Sequence, residues 1–147
     1  GGPGPGGALE EAPPPPPHGA SPDPYEPGGH AVVVEDVPAG EGGAPRPSRV
    51  VRPAEPGTYP TLVLHHGFTL TPADYTSLMT HVASHGYIAV APLLYRFPWV
   101  PSVADEAAAA AEVHRWATGG CPGLPPAAGV EAARRPPVVA GHSRGGM

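Results

Sequence analysis

The rhythm of apolar and polar positions along this 147-residue chain changes near residue 60. Ahead of that point, Ala-Val-Val-Val-Glu-Asp-Val at 31–37 is the first β-rich run, ended by Pro38 and the glycines around 40–43. Arg-Val-Val-Arg at 49–52 is a second short run, closed by Pro53. The two predict an antiparallel pair at a sheet edge, where proline is tolerated. After Pro60, Thr-Leu-Val-Leu-His at 61–65 is almost continuously apolar, the pattern of a strand buried on both faces. Ile-Ala-Val-Ala at 88–91 reads the same way, and Val-Val-Ala at 138–140 is the last strand.

Two helices fit between these strands. The first begins with Thr71 as N-cap, Pro72 at the first helical position and Asp74 as the capping-box acid. Tyr75, Leu78, Met79 and Val82 make one apolar stripe at helical spacing, and Gly86 stops the helix. The second begins at Ser102, with Asp105 as capping-box acid and Glu106 in the first turn. It carries an alanine run at 107–111, places His114 and Arg115 near the negative end of the helix dipole, and stops at Gly119-Gly120. An aromatic loop, 93–101, joins strand to helix, and a Pro/Gly/Ala-rich loop covers 119–136. From residue 60 the order is strand, helix, strand, helix, strand, which predicts an α/β fold with a parallel sheet and helices on its faces.

Composition divides the chain. Of its 25 prolines and 21 glycines, 16 and 12 fall in residues 1–60, so the bias belongs to the front of the chain. Residues 1–29, with five consecutive prolines at 13–17, cannot bury enough apolar surface to offset their ordering entropy. They are expected to form a disordered tail with a polyproline II stretch that serves as a passive linker, or less simply as a ligand for an SH3-like or WW-like partner. Residues 30–147 form the second region. A net charge of −5 argues against nucleic acid as a partner, and no apolar run approaches the length of a membrane span. The single Cys121 excludes an intrachain disulfide and reads as a free thiol. The start of the chain is poor in Ser and Arg and holds Glu10, Glu11 and Asp23, unlike a plastid transit peptide.

The chemistry is concentrated where strands end. Gly141-His142-Ser143-Arg144-Gly145 fits G-x-S-x-G directly after a predicted strand, the context of a nucleophile elbow. Ser143 is the candidate nucleophile, and Gly141 and Gly145 give the sharp turn its room. A helix starting at Ser143 would aim its N–H groups at developing negative charge. His66-Gly67-Phe68 ends the 61–65 strand; in this architecture that loop supplies one oxyanion donor. The backbone N–H groups of Phe68 and Arg144 are the candidate pair. The fold's order is Ser, then Asp or Glu, then His, so the catalytic acid and base are expected beyond the four residues that follow Ser143. Asp74 and Asp105 have sufficient roles as caps, and His142 reads as structural. His81 and His85 have metal-ligand spacing on one helix, but no Glu follows His81 and no third ligand is evident, so a polar helix edge is the simpler reading. Tyr95, Phe97 and Trp99 fit either a substrate cleft or a cover over the core.

These residues resemble plant chlorophyllases. The resemblance rests on residues 59–68 (Tyr-Pro-Thr-Leu-Val-Leu-His-His-Gly-Phe), Tyr75, residues 81–92 (His-Val-Ala-Ser-His-Gly-Tyr-Ile-Ala-Val-Ala-Pro), Leu94-Tyr95, and residues 141–146 with Arg144 after the serine. It spans about residues 28–147. It implies the N-terminal part of an α/β-hydrolase domain over 30–147, cut after the elbow. It also implies a serine esterase that releases phytol from chlorophyll without metal or organic cofactor, in the chloroplast, in peripheral contact with the membranes that hold its substrate. A broader carboxylesterase or cutinase-like hydrolase, told apart by a Met in place of Arg144, shares the fold. A non-catalytic scaffold for a tetrapyrrole or protein, and a Pro-rich adaptor, are readings from other classes.

Overall fold

The computed structural model describes residues 23–40, 43–124 and 129–147. Its strands are β1 (Val32–Val37), β2 (Ser48–Pro53), β3 (Gly57–Tyr59), β4 (Thr61–His65), β5 (Ile88–Pro92), β6 (Val130–Ala132) and β7 (Val138–Gly141). Its helices are α1 (Thr76–Ser84) and α2 (Val103–Thr118). Five strands form one sheet in the order β1-β2-β5-β4-β7. β1/β2 and β2/β5 are antiparallel; β5/β4 and β4/β7 are parallel.

Topology follows from chirality. From β4 the chain crosses over to β5 on one side, then returns past β4 to β7 on the other. Right-handed crossovers in opposite directions put α1 and α2 on opposite faces. The strands serve both faces by alternation. Val50, Val63, Ile88 and Val90 pack with Val113, Trp116 and Ala117 of α2. Val51, Leu64, Ala89 and Ala91 pack with Tyr75, Met79 and Ala83 on the α1 side. The two alanines of β5 on that side leave room for Met79, which is fully buried.

Four expectations change. β2 is an inner strand between β1 and β5, and of this pair only β1 lies at an edge. The buried guanidinium of Arg52 on β2 is held by Glu35 of β1 at 2.8 Å, which is why a charged strand is tolerated inside the sheet. The first helix divides into a 3-10 turn (Pro72–Tyr75) and α1, because Tyr75 adopts φ −109°, ψ 10°, outside the α-helical region. Its buried stripe is Tyr75, Met79 and Ala83, one residue every four, and Leu78 faces outward. The loop expected over 119–136 contains β6, which pairs in parallel with β3 as a separate two-stranded sheet. In that loop Cys121 is buried and unpaired, and burial pushes its thiol up to about 12.

Residues 1–22 of the expected tail lie outside the described residues. From residue 23 the chain runs along α1. Gly28 N–H donates to Ser84 Oγ at 2.8 Å and His30 N–H to the Ser84 carbonyl at 3.0 Å. Among the described residues no helix is long and apolar enough to cross a membrane. Met79→Ala is expected to lower the unfolding free energy by about 2–4 kcal/mol, read from denaturant midpoints at unchanged slope.

Candidate active site

β4 and β7 end side by side, with His65 opposite Gly141 in the ladder. Connections leave these ends in different directions, the place where open α/β sheets form a crevice. Two tight turns meet there. The first follows β4 and closes when Leu70 N–H donates to the Gly67 carbonyl at 3.2 Å. The second follows β7. His142 stays extended and donates its N–H to the His65 carbonyl at 3.1 Å, and Gly145 N–H closes the turn on the His142 carbonyl at 3.0 Å. Ser143 lies between them at φ +57°, a left-handed conformation that a non-glycine residue adopts at a cost of roughly 1–2 kcal/mol. The segment that follows, Ser143–Gly146, is a 3-10 turn where an α-helix was expected.

Close backbone contact maintains this shape. A Cβ on Gly145 would run into the carbonyls of His65 and His66, and one on Gly141 would run into the Gly145 carbonyl. Neither site has a flexible side chain that can yield, so both positions require glycine. Gly67 faces the elbow, and a Cβ there would lie 3.3 Å from Ser143 Cβ. The structure therefore brings Gly67 up against Ser143, with Phe68 the next residue of the same turn. The turn bonds close on Leu70 and Gly145, leaving the N–H groups of Phe68 and Arg144 outside them. The Ser143 side chain is exposed, and no described residue hydrogen-bonds its hydroxyl.

Polar side chains tie the turns to the scaffold. Arg144 Nε donates to Glu106 Oε1 at 2.8 Å, and its Nη2 donates to the Pro101 carbonyl at 3.1 Å. Its guanidinium also lies 5.8 Å from the centre of the Tyr95 ring. Glu106 thus joins the first turn of α2 to the residue after the candidate nucleophile, a role beyond that of a first-turn acid. His66 is fully buried; its Nε2 accepts from Leu94 N–H at 3.1 Å, which leaves Nδ1–H to donate to the Gly67 carbonyl at 2.9 Å. His142 turns its ring to the Tyr75 hydroxyl, 2.9 Å away, and not to Ser143. Phe68 and Phe97 meet edge to face with ring centres 5.3 Å apart, and Trp99 stands exposed farther along the same loop.

His65 and His114 face each other, Nε2 to Nε2, at 2.8 Å. Burial first, then the neighbouring His114 and His66, lower the His65 imidazole to about 4; burial also lowers His114. The pair is therefore neutral near pH 7, one ring donating and the other accepting. A cleft of about 380 Å³ between α2 and β7 includes this pair, with Ala110, Val139 and Arg144 in its wall. It backs onto the elbow and Ser143 does not line it. His81 and His85 spend their Nε2 atoms on the carbonyls of Pro24 (2.6 Å) and Glu26 (2.9 Å). Among the described residues no group of three or more His, Cys, Asp or Glu side chains is placed to hold a metal ion.

A family model described as Chlorophyllase matches residues 21–147. The chain belongs to the chlorophyllase family. Curated relatives include a "Chlorophyllase-1, chloroplastic" from Citrus unshiu, 41% identical over 103 residues, and a "Chlorophyllase type 0" from Chenopodium album, 39% identical over 114. Each alignment takes in 70% of this chain and 31% of the relative. "Chlorophyllase-2" of Arabidopsis thaliana is 39% identical over 102 residues. The chain thus spans about a third of the length of the chlorophyllases it matches. Its sheet and paired turns are those of the first part of an α/β-hydrolase fold. The parts of this candidate site that escaped sequence reading are Tyr75, Glu106 and His114. Each already had a sufficient local role as stripe, first-turn acid or last-turn charge, and nothing in the sequence pairs them with His142, Arg144 and His65, 38–67 positions away.

Backbone shape at the elbow is expected to show in stability. Gly145→Ala should lower the unfolding free energy by more than about 2 kcal/mol, whereas Ser143→Gly, which relieves the left-handed strain, should raise it by about 1 kcal/mol in the same denaturant titration. The histidine pair gives a pH signature. The folded-state value of His65 lies below the ordinary 6.5, so as pH falls the unfolded chain binds this proton first. The associated stability is complete above pH 6.5 and is lost as the pH falls toward about 4, by up to about 3 kcal/mol. His65→Leu should flatten that loss in denaturant midpoints taken across the window.

Proposed function

We propose that the protein containing this chain is a serine ester hydrolase of chlorophyllase type, cleaving the phytyl ester of chlorophyll to chlorophyllide and phytol. The observation that carries this reading is Ser143. It is held left-handed at the end of a parallel strand, between two obligatory glycines, against the turn that bears Phe68. A family with this name supplies the substrate class.

In the proposed cycle, Ser143 Oγ attacks the ester carbonyl while its proton passes to a histidine base. The carbonyl π pair becomes an oxyanion, received by the N–H groups of Phe68 and Arg144. Collapse breaks the ester C–O bond, the phytol oxygen takes the proton from the histidine, and an acyl-enzyme remains. Water, deprotonated by the same histidine, releases the acid and restores Ser143. The histidine and its acidic partner come from chain that follows Ser143, in the order usual for this fold. Residues 30–147 then constitute the N-terminal part of the hydrolase domain, preceded by a Pro/Gly-rich tail. The cycle calls on no metal or organic cofactor. The Phe68–Phe97 pair and Trp99 offer an apolar rim suited to a water-insoluble ester, which supports peripheral contact with the membranes that hold it. The relatives from Citrus named chloroplastic support the chloroplast as the compartment.

Ser143→Ala in the full-length protein should reduce chlorophyll hydrolysis by about a thousandfold or more. Wild-type enzyme that turns over short acyl esters and leaves chlorophyll intact would instead indicate a general carboxylesterase. The 147 residues alone, lacking the base, should show no turnover; esterase activity in them that Ser143→Ala removes would refute the proposal.

A further inference from the structure

Tyr75 closes the 3-10 turn before α1 and is almost completely buried. Its ring packs in the α1-side core, but its hydroxyl reaches past the core to both turns of the candidate site. Gly67 N–H donates to Tyr75 Oη at 2.9 Å, and His142 Nδ1 lies 2.9 Å from the same oxygen. A phenol hydroxyl has one proton to give. With Gly67 as donor to the oxygen, that proton is directed at His142 Nδ1, which then accepts, so in the neutral ring the single N–H is on Nε2. The two rings meet edge to face at 5.8 Å, so the contact is directional as well as polar.

Each bond lands beside a donor assigned to the oxyanion. Gly67 directly precedes Phe68, and His142 stands two residues before Arg144. The N–H groups of Phe68 and Arg144 belong to separate turns on separate strands, and strand pairing aligns them only as far as His65 and Gly141. Beyond the ladder, the His142 N–H bond to His65 and the Tyr75 hydroxyl connect the two turns. Oxyanion stabilisation depends steeply on where the donors stand; an error near 1 Å costs about a hundredfold in rate.

We propose that Tyr75 is a positioning residue for the reaction: its hydroxyl fixes the spacing between the turns that carry the Phe68 and Arg144 N–H groups, without touching substrate. This rests on the ester-hydrolase reading above. The phenol works as a spacer of set length, anchored in the core at one end and bonded to both halves of the oxyanion site at the other.

The test compares full-length enzyme with Tyr75→Phe, which keeps the ring and deletes the bridge. Expected is a fall in kcat of about tenfold to a hundredfold with KM within about twofold. The affinity of a boronic acid, which forms a tetrahedral adduct on the serine, should fall by the same factor as kcat. Folded Tyr75→Phe enzyme with a lower melting temperature but unchanged kcat and unchanged boronate affinity would overturn the proposal. His142→Leu removes the acceptor while Gly67 N–H keeps its partner, and gives the same reading if Tyr75→Phe does not fold. Lower kcat supports the bridge and unchanged kcat overturns it. Where both variants fold, their effects should not add, and full additivity is a negative result. Ser143→Ala separates the two claims. If it retains turnover, the nucleophile assignment and the proposal fail together; if it is silent while Tyr75→Phe turns over normally, only the positioning role fails.

Discussion

The site depends on a contact between two pieces of backbone. Gly145 comes down on the carbonyl end of β4 so closely that no side-chain atom fits between. That approach forces the chain to double back after β7, and the doubling back forces Ser143 into a left-handed conformation. The strain is local and is borne by the surrounding fold: the buried strand β4, packed on both faces, with β7 laddered to it at the sheet edge. Without the rigid ladder beneath it, a turn this tight would relax and the hydroxyl would swing away from the Gly67–Phe68 turn.

The side chains around the elbow extend this constraint outward. His66 ties the first turn to the start of the aromatic loop, and Arg144 ties the second turn to the end of that loop and to α2. The loop that carries Phe97 and Trp99 is thus fastened at both ends by residues of the two turns. Burial keeps the His65–His114 pair neutral, so these two rings add no positive charge beneath the elbow near pH 7. Backbone dipoles and the Arg144 guanidinium, paired with Glu106, contribute to the electrostatic character of the site. This suits the proposed reaction, in which charge develops on oxygen.

Much of this was legible in the sequence because it is written locally. The run 61–65, the capped start of α2 at Ser102 and the G-x-S-x-G turn each carry their signal within a few residues, and the structure has strand, helix and sharp turn at those places. What was missed is non-local. β3 and β6 are three residues each and pair across about seventy residues of chain; a segment such as Val-Glu-Ala has too little pattern to stand out in a Pro/Gly/Ala-rich loop. Leu78 satisfied helical spacing as well as Met79 did, and only the position of the sheet decides which of them is buried. Tyr75 looked like one more apolar residue in that stripe, because nothing in a periodicity argument registers a hydroxyl at the far end of a ring.

Cys121 has a practical consequence. Its thiol is both enclosed and held in the unreactive protonated form, so maleimide or iodoacetamide dyes at neutral pH should pass it by. Within this chain, a cysteine engineered on the aromatic loop would then be the single labelled position, and a fluorophore there would report on the mouth of the site without any need to remove the native sulfur.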